Sequence, residues 1–220
     1  VPELFWHNVE NYRDDITMWR KKRGVWESHT WGDYGDWSRD IGHALIAQGL
    51  KSGDKISIIS ETRMEWVILD MAIMSVGCIT APVYPSNTEE QVKYIVKHSE
   101  SKVVFAEDQE QLDKMLVIWK DLPLVKKVVV IDKYYPRDLP NVITLNDYRE
   151  FGKTHRSNNP GKFEERLASV EPEDIISFTY TSGTTGYPKA GMFYSHNVIS
   201  VAKHLRSEEH TSELQSHLNL

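Results

Sequence analysis

The sequence is short of cysteine, of net positive charge and of uninterrupted apolar length, and each shortage removes a class of protein. Cys78 is the single cysteine among 220 residues, so no internal disulfide can form and a reducing compartment fits. It sits in an apolar run with no charged neighbour to lower its pKa, which predicts a buried structural thiol rather than a nucleophile. Lys and Arg number 26 against 32 Asp and Glu, a net charge of −6. That balance leaves no surplus to draw the chain to nucleic acid or to an anionic membrane surface. The longest apolar stretch, Trp66 to Val83, is interrupted by Asp70 and headed by Arg63 and Glu65, and does not read as a membrane span. No signal-peptide pattern opens the chain, and its first residue is Val1 rather than methionine, so a start lying upstream is expected, with room there for a targeting or anchoring segment. No spacing of His, Cys, Asp and Glu matches a metal site.

What is present is a 40% hydrophobic composition, enough for one large or two modest domains with an ample core. Between Asp14 and Trp31, aromatic and β-branched residues flank Arg23-Gly24, which predicts a β-hairpin. From Gly32 to Gly49 the residues Tyr34, Trp37, Ile41, Ala44 and Leu45 recur at helical spacing, with Gly49 as a stop. The pattern then alternates. Strand Lys55 to Ser60, helix Arg63 to Val76, strand Ile79 to Tyr84, helix Glu89 to His98, strand Lys102 to Ala106, helix Glu110 to Trp119 and strand Val125 to Ile131 follow one another. A final strand is predicted over Ile175 to Tyr180. This is the signature of an α/β fold, a mainly parallel sheet with helices on both faces. Asp132 to Gly161 is rich in Pro, Asn, Asp and Lys and reads as a surface connection with one short helix near Leu145 to Phe151. The tryptophans Trp19, Trp26, Trp31 and Trp37 read as hairpin and helix packing rather than as platforms for stacked bases. The acidic pairs Asp14-Asp15, Glu89-Glu90 and Glu164-Glu165 read as solvated helix ends or faces.

One stretch carries chemistry. Tyr180 to Lys189 runs Tyr-Thr-Ser-Gly-Thr-Thr-Gly-Tyr-Pro-Lys directly after the apolar run Ile175 to Thr179. Small residues let backbone N–H groups approach a polyphosphate, the hydroxyls add donors, and the lysine supplies a point charge, so ATP is the expected ligand. In parallel sheets ligands bind beyond the carboxyl ends of strands, where this loop begins. The spacing excludes a Walker-type loop, which needs Gly, four residues and Gly-Lys, and it lacks the third glycine of a dinucleotide fingerprint.

The whole string resembles the phosphate-binding signature of the adenylate-forming, AMP-binding superfamily of acyl-CoA synthetases, luciferase-like enzymes and peptide-synthetase adenylation domains. The resemblance extends through Glu61 to Trp66, Gly77 to Pro85 and Glu171 to Asp174, and covers residues 1 to 205. The hairpin, Thr30-Trp31 and Tyr84 to Thr88 look most like long-chain fatty-acid CoA ligases. The fold it implies is the N-terminal part of the adenylate-forming enzyme fold, incomplete here, with residues 1–205 the N-terminal portion of the large AMP-binding domain. By the same resemblance Thr181, Ser182, Gly183, Thr184, Thr185, Gly186 and Lys189 hold the β- and γ-phosphates of ATP with magnesium. A fatty-acid carboxylate then attacks the α-phosphorus, and coenzyme A receives the acyl group. His196 would flank the acyl or nucleotide pocket, and peripheral membrane association of a longer protein is compatible with the family, as is a cytoplasmic one. The family usually has seven residues from this lysine to the histidine of a Ser-His or Thr-His pair; here Lys189 to His196 spans eight, with Ala190 in place of a glycine. Ser195 reads as a helix N-cap rather than as a nucleophile.

Two other classes stay open at the level of sequence. One is a shortened nucleotide-binding module without turnover, and the other an adenylating enzyme for an aryl or amino acid. Residues Arg206 to His217 resemble the in-frame translation of a sequencing-library adapter, so 206–220 are expected to be a non-native tail. Setting them aside removes Arg206, Glu208, Glu209 and Glu213, for a net charge of −4, together with His210 and His217. A chain ending at Leu205 lacks the downstream residues the family needs for turnover, so it is expected to be inactive alone and to expose sheet edges and apolar surface.

Overall fold

The computed structural model describes residues 1–132, 139–181, 188–202 and 204. Helix α1 (Pro2–Asn11) precedes a hairpin of β1 (Ile16–Lys22) and β2 (Val25–Thr30). Its turn takes positive φ at Arg23 (49°) and Gly24 (84°), the pairing that matches strand twist in a two-residue hairpin. Helix α2 (Trp31–Ala47) starts where the Thr30 hydroxyl accepts from the Asp33 N–H and the Asp33 carboxylate accepts from the Thr30 N–H. This reciprocal cap satisfies two otherwise orphaned donors. Then come β3 (Lys55–Ile59), α3 (Met64–Ser75), β4 (Ile79–Val83), α4 (Glu89–His98), β5 (Val103–Ala106), α5 (Gln109–Ile118), β6 (Lys127–Val130), β7 (Val142–Thr144), α6 (Leu145–Asn158), α7 (Lys162–Ala168), β8 (Ile175–Thr181) and β9 (Lys189–Tyr194).

Seven strands form one sheet in the order β7-β6-β5-β3-β4-β8-β9. All neighbours are parallel except β8 and β9, which are antiparallel. β5 is apolar at every position, and β3, β4 and β6 are mostly so, because both faces of these strands are covered. Val103, Phe105 and Val129 face a core built with α1, α2, α3, α6 and α7, while Val104, Ala106, Val128 and Val130 face one built with α4 and α5. Burying a side chain such as Leu69 or Ile73 contributes about 1.5–3 kcal/mol each. The alternating α/β reading holds element by element from β3 to β6.

Three local readings are corrected. The stretch Asp132 to Gly161 is more than a surface connection: it holds β7 and a fourteen-residue α6, while residues 133–138 lie outside the described part. Leu145, Tyr148 and Gly152 form the buried stripe of that otherwise polar helix, and the Tyr148 hydroxyl donates to Gln48 Oε1 at 2.7 Å. A Cβ on Gly152 would fall 1.8 Å from the Asp40 carbonyl oxygen, so glycine here is what lets α6 approach α2. Trp19 and Trp26 do not pack in the hairpin core but stand 59% and 60% exposed, because the two-stranded sheet has no layer over that face. Helix α1 was not read from the sequence at all; it buries Phe5, Trp6 and Val9, with the Trp6 indole donating to Ser75 Oγ at 2.9 Å.

Pro82 lies inside β4 and has no N–H to give to a ladder. β4 has five registered pairs with β3 and one, Thr80↔Ser177, with β8.

Candidate functional site

A cleft of about 470 Å³ lies at the carboxyl edge of the sheet, beside the ends of β3, β4 and β8. Ser60 and Glu61 from the end of β3, Trp66 from α3, Val83 and Tyr84 from β4, and Gln91 from α4 line one side, with Thr179, Tyr180 and Pro188 on the other. Its rim is held by charge. Arg63 donates from Nε to Glu65 (2.8 Å), from Nη1 to Glu107 (3.1 Å) and from Nη2 to Asp132 (2.9 Å), while Glu107 also accepts from the Glu61 N–H at 2.8 Å. Burial opposes the Arg63 charge, but the bonds to Glu65 and Asp132 outweigh it and raise its pKa further. Burial likewise works against an ionised Glu65, and Arg63 and Arg20 outweigh it, so the carboxyl is held below its ordinary value. The sequence pointed to Glu61 to Trp66 as a resemblance only; the structure gives the segment a task, tying β3, β5 and β6 together at the cleft's rim.

The chemistry-bearing string joins β8 to β9. Tyr180 and Thr181 complete β8, Lys189 opens β9, and Thr181 pairs with Lys189 across the antiparallel ladder, so the connection is narrower than the sequence motif. Of the predicted phosphate-binding residues, Thr181 and Lys189 therefore stand side by side, both exposed, at the carboxyl end of β8. Ser182, Gly183, Thr184, Thr185 and Gly186 lie outside the described residues. Burial pushes the Tyr180 phenol up to about 12, so it stays protonated at neutral pH.

His196 is not brought to the cleft. β9 runs antiparallel to β8, so Tyr194 lies opposite Ile175, and His196 sits at the other end of the strand pair with its Nδ1 3.0 Å from the Pro172 carbonyl. Six strand residues separate it from the loop by roughly 20 Å. Ser195 is the first residue of a helical stretch over 195–202 rather than its cap; its buried hydroxyl accepts from the Val1 amino group at 2.7 Å. The eight-residue spacing from Lys189 is taken up as a regular strand, and the one register slip falls on β8, between Ile175 and Ser177. Among the described residues no group of three His, Cys, Asp or Glu side chains is placed to hold a metal ion, so the donors for a magnesium ion are not assigned and no step is derived through it. Also among those residues, no helix is long and apolar enough to cross a membrane.

A seven-stranded, mainly parallel sheet with a glycine- and hydroxyl-rich hairpin connection at its carboxyl edge is the N-terminal part of the adenylate-forming enzyme fold. The family model described as AMP-binding enzyme matches residues 5–218, and the chain belongs to that family. The match runs through residues 206–217, which the sequence alone marks as adapter-like.

Among curated relatives, the long-chain-fatty-acid–CoA ligase FadD15 of Mycobacterium bovis is 32% identical over 201 residues, covering 90% of this chain and 32% of that protein. The human long-chain-fatty-acid–CoA ligase ACSBG1 is 28% identical over 208 residues, covering 93% and 28%. The chain thus spans about a third of the length of the curated relatives it matches. Among solved structures, the anthranilate CoA ligase AuaEII in complex with anthranoyl-AMP aligns with a TM-score of 0.75 at 22% identity, over 88% of this chain and 34% of that one. VinN in complex with 3-methylaspartate aligns with a TM-score of 0.70 at 18% identity, over 94% and 50%. These structural likenesses show the fold alone.

Proposed function

We propose that this chain is the N-terminal portion of an ATP-dependent long-chain fatty-acid CoA ligase. The observation that carries the reading is the Tyr180 to Lys189 string, whose closing pair Thr181 and Lys189 stands at the carboxyl edge of the sheet beside the cleft. In this reading the loop's backbone N–H groups and hydroxyls, with the Lys189 ammonium, hold the β- and γ-phosphates of ATP. The fatty-acid carboxylate oxygen forms a bond to the α-phosphorus, the bond from that phosphorus to the bridging oxygen breaks, and pyrophosphate leaves with the electron pair. The acyl-adenylate is a mixed anhydride; the sulfur of coenzyme A attacks its carbonyl, and AMP departs. The loop's physical contribution is to position the triphosphate and to offset the charge shifting onto the leaving pyrophosphate. The names of the relatives at 26–32% identity support the fatty-acid substrate.

The 220-residue chain alone does not turn over in this reading, because two thirds of the length of its relatives has no counterpart in it. Residues 206–220 are the non-native tail, which the nucleotide sequence across Leu205 tests directly. For the activity, the test is exchange of labelled pyrophosphate into ATP by the full-length protein across a panel of carboxylic acids. Exchange driven by long-chain acids such as palmitate, and lost in Lys189→Ala, is expected. Exchange with aryl or amino acids alone would overturn the substrate, and ATP binding without exchange for any acid would overturn the ligase.

A further inference from the structure

Helix α4 borders the cleft with its first half and reaches the phosphate loop with its second. Tyr94 and His98, four residues apart, lie on one face with their rings stacked, centroids 5.4 Å apart. The Tyr94 hydroxyl donates to the Pro188 carbonyl at 2.9 Å, and His98 Nδ1 lies 3.0 Å from the Tyr180 hydroxyl, the two rings edge to face at 5.7 Å. Tyr180 and Pro188 are the residues immediately before Thr181 and Lys189, so one helix face holds the chain where it enters the loop and where it leaves.

We propose that Tyr94 and His98 are positioning residues that set the loop's footing and thereby its grip on the nucleotide, an inference that rests on the phosphate-binding reading of the loop. The protonated Tyr180 phenol can donate to the His98 ring, and Tyr94 in turn satisfies a carbonyl at a proline, a residue with no N–H to add to the β8–β9 ladder. Neither side chain touches the reacting atoms in this scheme. Their effect passes through the backbone of the hairpin, and it falls on ATP rather than on the fatty acid.

Steady-state kinetics of the full-length protein test this. One hydrogen bond of ordinary strength corresponds to a roughly two- to tenfold effect. Tyr94→Phe and His98→Ala are each expected to raise KM for ATP by that factor, with KM for the fatty acid and the melting temperature close to wild type. His98→Asn, which puts an amide near the Nδ1 position, is expected to restore most of the loss. Lys189→Ala is the control for the underlying reading. If Lys189→Ala raises KM for ATP while the Tyr94→Phe, His98→Ala double variant leaves it unchanged, the positioning role is wrong and the loop assignment stands. If both KM values and the melting temperature move together, the pair is merely structural and the inference fails. If Lys189→Ala itself leaves ATP unaffected, the loop reading fails and takes the inference with it.

Discussion

Replacing Asp70 by asparagine should stabilise the chain above neutral pH, and the size of the gain follows from the carboxyl's surroundings. Asp70 lies on α3 and accepts at Oδ1, at 2.6 Å, from the hydroxyl of Thr80, a fully buried position of β4. Burial pushes the carboxyl up from 3.8 to about 6, against the smaller opposing effect of Thr80. A folded-state value above the unfolded one means that the protonated form is favoured by folding. The associated stability is fully present below about pH 4 and is lost as pH rises through about 6. The displacement corresponds to about 3 kcal/mol. Asp70 as a whole keeps some surface open to water while its carboxyl is densely surrounded, so screening discounts the figure to about 1–3 kcal/mol. Asparagine keeps an oxygen for Thr80 and carries no charge at any pH. Urea unfolding followed by tryptophan fluorescence and far-ultraviolet circular dichroism should therefore find Asp70→Asn more stable than wild type by about 1–3 kcal/mol near pH 8, with the gap closing toward pH 4. Thr80→Val, which removes the donor, should move the wild-type inflection to still higher pH. A gap that does not vary with pH, or a wild type more stable than the variant near pH 8, would refute the reasoning.

Gly152→Ala forces a methyl against the Asp40 carbonyl, and a loss of about 3 kcal/mol or more is expected, read as a fall in melting temperature. Arg63→Ala leaves Glu65, Glu107 and Asp132 facing one another without their shared cation, at a cost of about 1–3 kcal/mol given the partial exposure of the site. That deficit should shrink in high salt as the carboxylates are screened, and Arg63→Lys should recover only part of it, since an ammonium cannot reach all three. The Cys78 thiol, 1% exposed and pushed up to about 12 by burial, should resist Ellman's reagent at neutral pH and react with one equivalent once urea unfolds the chain.

The elements the sequence disclosed are those whose local signals agree with their burial. α4 announces itself through the Thr88–Gln91 cap and a single apolar stripe of Val92, Ile95 and Val96, and β5 through four consecutive apolar residues covered on both faces. α6 was legible only as a short helix because three buried positions, one of them a glycine that ordinarily breaks helices, carry its packing; the reason for that glycine is a carbonyl on α2 more than a hundred residues earlier. β7, three residues long, offers too little pattern to register. At the candidate site, the sequence singles out Thr181 and Lys189 because the glycine, hydroxyl and lysine pattern lies within one short string. Their antiparallel pairing is not legible there, since an apolar run followed by a glycine-rich loop leads equally well into a helix or back along the sheet. Tyr94 and His98 carried no local signal at all, because what gives them meaning is a loop that arrives from the far end of the chain.

The position of β8 also bears on the order of assembly. Strands β3 to β7 lie next to partners close in sequence, whereas β8 docks on β4 across an interval of roughly a hundred residues, at the single pair Thr80↔Ser177. Bringing such distant segments together costs chain entropy before the contact returns any of it, which makes long-range parallel pairing a slow event. In a chain emerging from the ribosome, the five strands before β8 have their neighbours to hand first. β8 would then be among the last strands of the sheet to settle, so the chain would pass through a compact stage in which the carboxyl-edge cleft has only one of its two sides.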